Sequence, residues 1–170
     1  HREGSVLAAD VELPDGARRS DRALDLLAPG GLGPVVEVLR SRLRDLPRTA
    51  ATYGLVHGDF ELDNIAWSGG VATAYDWDEA EVSWFAADIA YAVRDLVPDH
   101  RELAHGRLPL LDAFLAGYES DRPDAEVDRE QLALFTSLNA LRSLARLAPV
   151  LAEDPSVGRS LTSPGAPTLR

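Results

Sequence analysis

The 170-residue chain has no cysteine, no methionine and no lysine. Without cysteine there is no disulfide, no thiolate nucleophile and no iron–sulfur ligation, and a reducing cytoplasm is the expected compartment. Without lysine, all 17 basic residues are arginine; set against 28 acidic ones, they leave a net charge of −11. Nucleic acid is therefore not an expected partner, because binding its phosphates calls for a positive surface. The acidity mildly suits a cationic substrate, and more simply keeps the surface soluble. No apolar run approaches the roughly 18 residues of a membrane span, and no signal-peptide pattern opens the chain, so no membrane partner is expected. A chain that starts at His1 and lacks methionine predicts a piece of a longer protein. What remains is 45% hydrophobic and 26% charged, the balance of one globular domain with a real core.

The informative stretch is Val56 to Asp78, V-H-G-D-F-E-L-D-N-I-A-W-S-G-G-V-A-T-A-Y-D-W-D. It predicts an apolar strand at 53–56, a polar loop at 57–64, an extended piece at 65–67, and a second strand at 71–75. Gly69-Gly70 between two β-prone runs is a tight-turn signal. His57, Asp59, Asn64 and Asp76 are thereby placed at strand ends and in one loop. Such carboxylates and an amide can grip a cation and a hydroxyl together, as phosphoryl transfer requires. The spacing His-x-Asp-x-x-x-x-Asn matches the protein-kinase catalytic loop with Gly58 in place of arginine. Asp76 then stands twelve positions beyond Asn64, followed by Trp77-Asp78 where kinases have Phe-Gly.

This variant resembles the aminoglycoside phosphotransferase and choline kinase-like family, small-molecule relatives of protein kinases. The resemblance is concentrated between Tyr53 and Val93. It implies an α+β, mainly helical fold: the C-terminal lobe of a protein-kinase-like architecture, with a small β-hairpin sheet carrying the catalytic loop. It implies Asp59 as catalytic base, Asn64 and Asp76 as Mg2+ ligands, and ATP as phosphoryl donor. His57 and the buried Asp88 are the implied braces of the loop, and Asp78 and Glu79 are candidates for a second metal or for substrate. A family kinase also needs a lysine and a glycine-rich loop over the phosphates. Neither is in the chain, so residues 1–152 are expected to form one lobe, with the N-terminal lobe missing and residues 153–170 a flexible tail. The partners implied are nucleotide, a small hydroxyl-bearing substrate and the missing lobe, and the fragment alone is expected to be inactive.

Elsewhere the pattern predicts one or two helical turns at 21–27. A helix is predicted at 34–46, with Val35, Val38, Leu39, Leu43 and Leu46 inward and Arg40, Arg42 and Arg44 solvated. Further helices are predicted at 84–97, at 100–120 with Pro109 starting or kinking it, and at 128–151 with Leu134, Leu138, Leu141, Ala145 and Ala148 in one stripe. Core packing is the simplest fate for Trp67, Trp77 and Trp84. His100 and His105 read as exposed helix residues.

A second enzyme reading starts from Asp76-Trp77-Asp78, the Asp-x-Asp of haloacid-dehalogenase-like phosphatases. It lacks the expected Thr or Val at Ala80 and the downstream lysine, and leaves His57, Asp59 and Asn64 unexplained. An inactive kinase-like scaffold, or a protein Ser/Thr kinase of the same family, are the remaining alternatives.

Overall fold

The computed structural model describes residues 12–97, 108–125, 127 and 129–153. The chain opens with helix α1 (Gly16–Leu27), longer than the one or two turns read from sequence. Its start is set by Asp15, whose carboxylate accepts from Ala17 N (2.9 Å) and Arg18 N (3.3 Å), satisfying two donors that a helix start leaves open. After a 3₁₀ turn comes α2 (Gly33–Asp45), with Pro34 in its first turn. Its inward face is Val36, Leu39 and Leu43, while Val35 and Val38 are exposed. Leu39 and Leu43 face inward as expected and Leu46 packs against the core, but Val36 takes the inward place expected of Val35: apolar side chains occupy both phases of the wheel there, and packing selects between them.

Strand β1 (Tyr53–Val56) pairs antiparallel with β4 (Glu81–Trp84), Tyr53 opposite Trp84 and Val56 opposite Glu81. Between them in sequence, β2 (Ile65–Ser68) and β3 (Val71–Ala74) form a separate hairpin. Its Gly69-Gly70 turn has φ of 57° and 81°, the left-handed conformations that such a turn needs. The hairpin stands off the body, and Trp67 and Trp77 are exposed rather than in the core; only Trp84 is buried.

Helix α3 (Phe85–Val93) follows β4 without a loop and is buried at all nine positions. Apart from Asp88 and the Tyr91 hydroxyl its side chains are apolar on every side, the pattern of an interior helix, and the alanines at 86, 87, 90 and 92 let its neighbours approach closely. A 3₁₀ turn (Arg94–Leu96) replaces the last part of the expected 84–97 helix. Helix α4 (Pro109–Asp121) begins at its proline, where a missing N–H costs nothing. Helix α5 (Arg129–Glu153) packs along α3 and α1 and presents Leu134, Phe135, Leu138 and Ala145 inward. The expected helix start at 100, His100, His105 and the expected tail beyond Glu153 lie outside the described residues. Among the described residues no helix is long and apolar enough to cross a membrane. The architecture is a mainly helical α+β lobe whose two small antiparallel sheets carry the loop of residues 57–64 at one end.

Candidate active site

The loop after β1 is tied down from below. The buried Asp88 carboxylate, in the first turns of α3, accepts the backbone N–H of His57 (2.6 Å) and of Gly58 (2.8 Å). Burial pushes the Asp88 carboxyl above the ordinary carboxylate range, and those two N–H donors oppose the shift by favouring its charged form. His57 is itself buried; its Nε2 lies 2.8 Å from the Tyr75 carbonyl, which makes Nε2 the protonated nitrogen. The ring also touches Trp77, with centroids 4.6 Å apart, and Phe60 at 5.6 Å. One imidazole thereby joins the loop to the segment that carries Asp76.

Gly58 has φ of 85°, and a Cβ built on it would fall 2.1 Å from the Glu79 carbonyl oxygen. Only glycine lets the loop lie this close to the segment after Asp76. At the far end of the loop, the Asn64 side-chain amide donates to the Asp59 carbonyl (2.9 Å), and Tyr75 N donates to Asn64 O (3.1 Å). No described hydrogen bond takes Asn64 Oδ1. Tyr75 also hydrogen-bonds Asp63 O through its hydroxyl. Asp59 and Asn64 are half-buried, and Asp76 and Asp78 are exposed, so all four residues reach solvent.

Asp76 is the one non-glycine residue with positive φ (62°) among those described. A left-handed aspartate costs backbone energy, and such outliers gather at functional sites. Its carboxylate has no hydrogen bond or ion pair among the described residues. Glu79 differs: its carboxylate meets Arg19 (2.8 Å) and Arg146 (3.0 Å), so two guanidiniums already engage it. Among the described residues no three His, Cys, Asp or Glu side chains converge to cage a metal. Asn64 Oδ1 and the Asp76 carboxylate are hard oxygen donors on neighbouring elements, which suits an ion like magnesium that keeps waters and substrate phosphates as its other ligands.

Sequence reasoning missed several residues around this frame. Glu61, two positions beyond Asp59, meets Arg94 at 2.5 Å. Desolvation and the neighbouring Asp59 carboxylate raise its pKa, while Arg94 opposes the rise. Glu81 is buried on β4, bound by Arg142 and Arg19. No spacing rule announces either pair, because the arginines lie 33 residues or more away along the chain.

The family profile described as "Phosphotransferase enzyme family" matches residues 6–135. The chain belongs to that family. Amicoumacin kinase of Bacillus subtilis (strain 168) is 42% identical over 110 residues, covering 62% of this chain and 32% of that relative. Among solved structures, the fold resembles amicoumacin kinase hAmiN in complex with AMP-PNP, Ca2+ and Ami. The TM-score is 0.60 at 19% identity, over 82% of this chain and 44% of the other. This phosphotransferase-family chain thus spans about a third of its curated relative and under half of the solved one.

Proposed function

We propose that this chain supplies the catalytic loop of a kinase that moves the ATP γ-phosphoryl group to a hydroxyl of a small molecule. Asp59 orients the acceptor hydroxyl and takes its proton as the oxygen attacks phosphorus. Asn64 and Asp76 hold Mg2+, which, when bound, neutralises the phosphate oxygens. Asp88 and His57 keep the loop in register so that Asp59 needs no reorganisation at the moment of reaction. Asp78, exposed two residues beyond Asp76, is the remaining candidate for a second ion or for substrate; Glu79 is committed to its arginines.

Residues 1–152 act as one lobe. A second lobe outside these 170 residues is proposed to carry the phosphate-binding lysine and glycine-rich loop, and the fragment alone transfers no phosphate at a useful rate. ATP as donor suits a cytoplasmic reaction. The acceptor class is a hydroxyl-bearing small molecule: an aminoglycoside, a choline-like amine, homoserine, or amicoumacin, which the names of the relatives make the first to test.

The observation that carries this reading is Asp76. Its carboxylate is exposed and unpaired among the described residues, held at φ 62° beside a loop that is itself pinned by a buried aspartate. The experiment is phosphate transfer by the protein containing this chain. Asp59→Ala is expected to lower kcat by roughly 10²-fold or more while nucleotide affinity is kept. Unchanged turnover would remove Asp59 from the reaction.

A further inference from the structure

The arginines of α2, read from sequence as one solvated face, divide in the structure. Arg42 turns toward Glu130 (3.6 Å), on α5. Arg40 is committed to Asp25 and Glu37 and to the Asp21 carbonyl (3.4 Å). Arg44 and Arg48 have no carboxylate partner among the described residues. Together with Arg40 they line a cavity of about 190 Å3, with Asp21 on one wall and the Trp84 ring on another. In a chain of net charge −11, a cavity presenting two uncommitted guanidiniums is an electrostatic exception.

Arg48 is also held in place before any ligand arrives. Its guanidinium carbon lies 4.8 Å from the Trp84 ring centre and 5.2 Å from that of Tyr53. These two rings meet edge to face at 5.1 Å, and Trp84 Nε1 donates to the Pro47 carbonyl (3.1 Å), fixing the residue next to Arg48. A planar cation stacked in this way loses less freedom on binding, and its remaining N–H groups match the oxygens of a phosphate.

We propose that this cavity is a binding site for a small phosphate compound, either inorganic phosphate or a hydroxyl-bearing phosphate ester. Arg44 and Arg48 supply charge-assisted hydrogen bonds to the phosphoryl oxygens. Asp21 accepts from an O–H on the ligand, a donor that hydrogen phosphate or an ester with a free hydroxyl carries and sulfate lacks. The volume admits a phosphate and a few further heavy atoms, and excludes a nucleotide lying wholly inside. The site shares no residue with the loop at 57–78 and stands independently of the kinase reading. Its wall is nonetheless Trp84, the residue from which α3 departs toward Asp88.

The test is tryptophan fluorescence and calorimetry on the 170-residue chain at pH 6.5 and constant ionic strength. Inorganic phosphate, glycerol 3-phosphate, sulfate and chloride are titrated in separate arms. Saturable binding of inorganic phosphate or the ester, with a dissociation constant around 1 mM, supports the site, and the tighter of the two names the source. Sulfate is expected to bind several-fold more weakly, and Asp21→Asn to narrow that gap. The Arg44→Ala/Arg48→Ala pair is expected to weaken binding about tenfold or more, while Arg42→Ala, outside the cavity, leaves it unchanged. Circular dichroism checks the fold of each variant. Should the double variant not fold, Arg44→Gln alone is used, with the Trp84 indole N–H shift followed by NMR, and the same weakening is expected. Equal responses to phosphate, sulfate and chloride, binding indifferent to both arginines, or shifts centred on residues 57–78 would each overturn the proposal.

Discussion

Arg142 of α5 and Glu81 of β4 form a two-point ion pair inside the lobe, Nη1 to Oε1 at 2.9 Å and Nη2 to Oε2 at 3.1 Å. Arg19 of α1 reaches the same carboxylate at 3.1 Å, and Glu81 is 1% exposed. Three elements thus meet on one buried charge, five residues beyond Asp76. Arg142→Ala leaves that charge with a single, partly exposed partner and is expected to cost roughly 3 kcal/mol of stability. Replacing the pair together, as Arg142→Met with Glu81→Leu, is expected to restore most of it. Urea unfolding of the three proteins checks this; a neutral Arg142→Ala would show the pair to be dispensable.

Gly58→Ala attacks the same frame from the loop side. The new Cβ would sit 2.1 Å from Glu79 O at a φ that disfavours any side chain. The expected loss is about 1–3 kcal/mol in thermal or urea unfolding. The emission of Trp77, whose ring packs against that of His57, should shift as the two segments part. A variant as stable as the parent would mean that the close approach is relaxed in solution.

Asp88 gives a pH dependence with a definite sign. Burial raises its folded pKa above the ordinary value of 3.8, so the folded state binds that proton more tightly than the unfolded one. Its contribution to stability is therefore largest in acid and declines as pH climbs from 3.8 through the folded value. Asp88→Asn removes this slope. The parent-minus-variant stability, measured by urea unfolding from about pH 4 to 7, should shrink as pH rises; a difference that grows with pH would contradict the assignment. The variant also loses one of two acceptor oxygens, so the loop N–H of His57 or Gly58 goes unpaired.

The β2–β3 hairpin packs chiefly on itself, with Trp67 70% and Val71 63% exposed. Isolated two-stranded hairpins are marginal in water. Hydrogen exchange should therefore release the β2 and β3 amides orders of magnitude sooner than those of α3. Equal protection would mean that the hairpin is held by something other than its own ladder.

Local signals are the legible ones. The strand at 53–56, the Gly-Gly turn and the helix starts at Pro34 and Pro109 follow from backbone chemistry that one residue can impose. The spacing of His57, Asp59 and Asn64 likewise points to the family without any knowledge of the fold. What escapes a reading of the sequence depends on partners far away in the chain. β4 reads E-V-S-W, polar and apolar in alternation, yet Glu81, Ser83 and Trp84 are all buried, so its burial does not follow its pattern and Glu81 reads as a surface acid until Arg142 and Arg19 arrive. The inward phase of α2 is ambiguous because Val35 and Val36 are equally apolar. The left-handed φ of Asp76 has no sequence signal at all, since aspartate there looks like any strand end.

The proposed chemistry stands or falls with the convergence of Asn64 and Asp76 on a divalent ion. Mn2+–ATP, a paramagnetic stand-in for the magnesium complex, can be titrated into the 15N-labelled chain to detect it. Early, selective broadening of the amides at 59–64 and 75–78 is expected, and its loss in Asp76→Ala. Broadening spread evenly over the acidic surface, or persisting unchanged in Asp76→Ala, would mean that the two side chains do not share an ion.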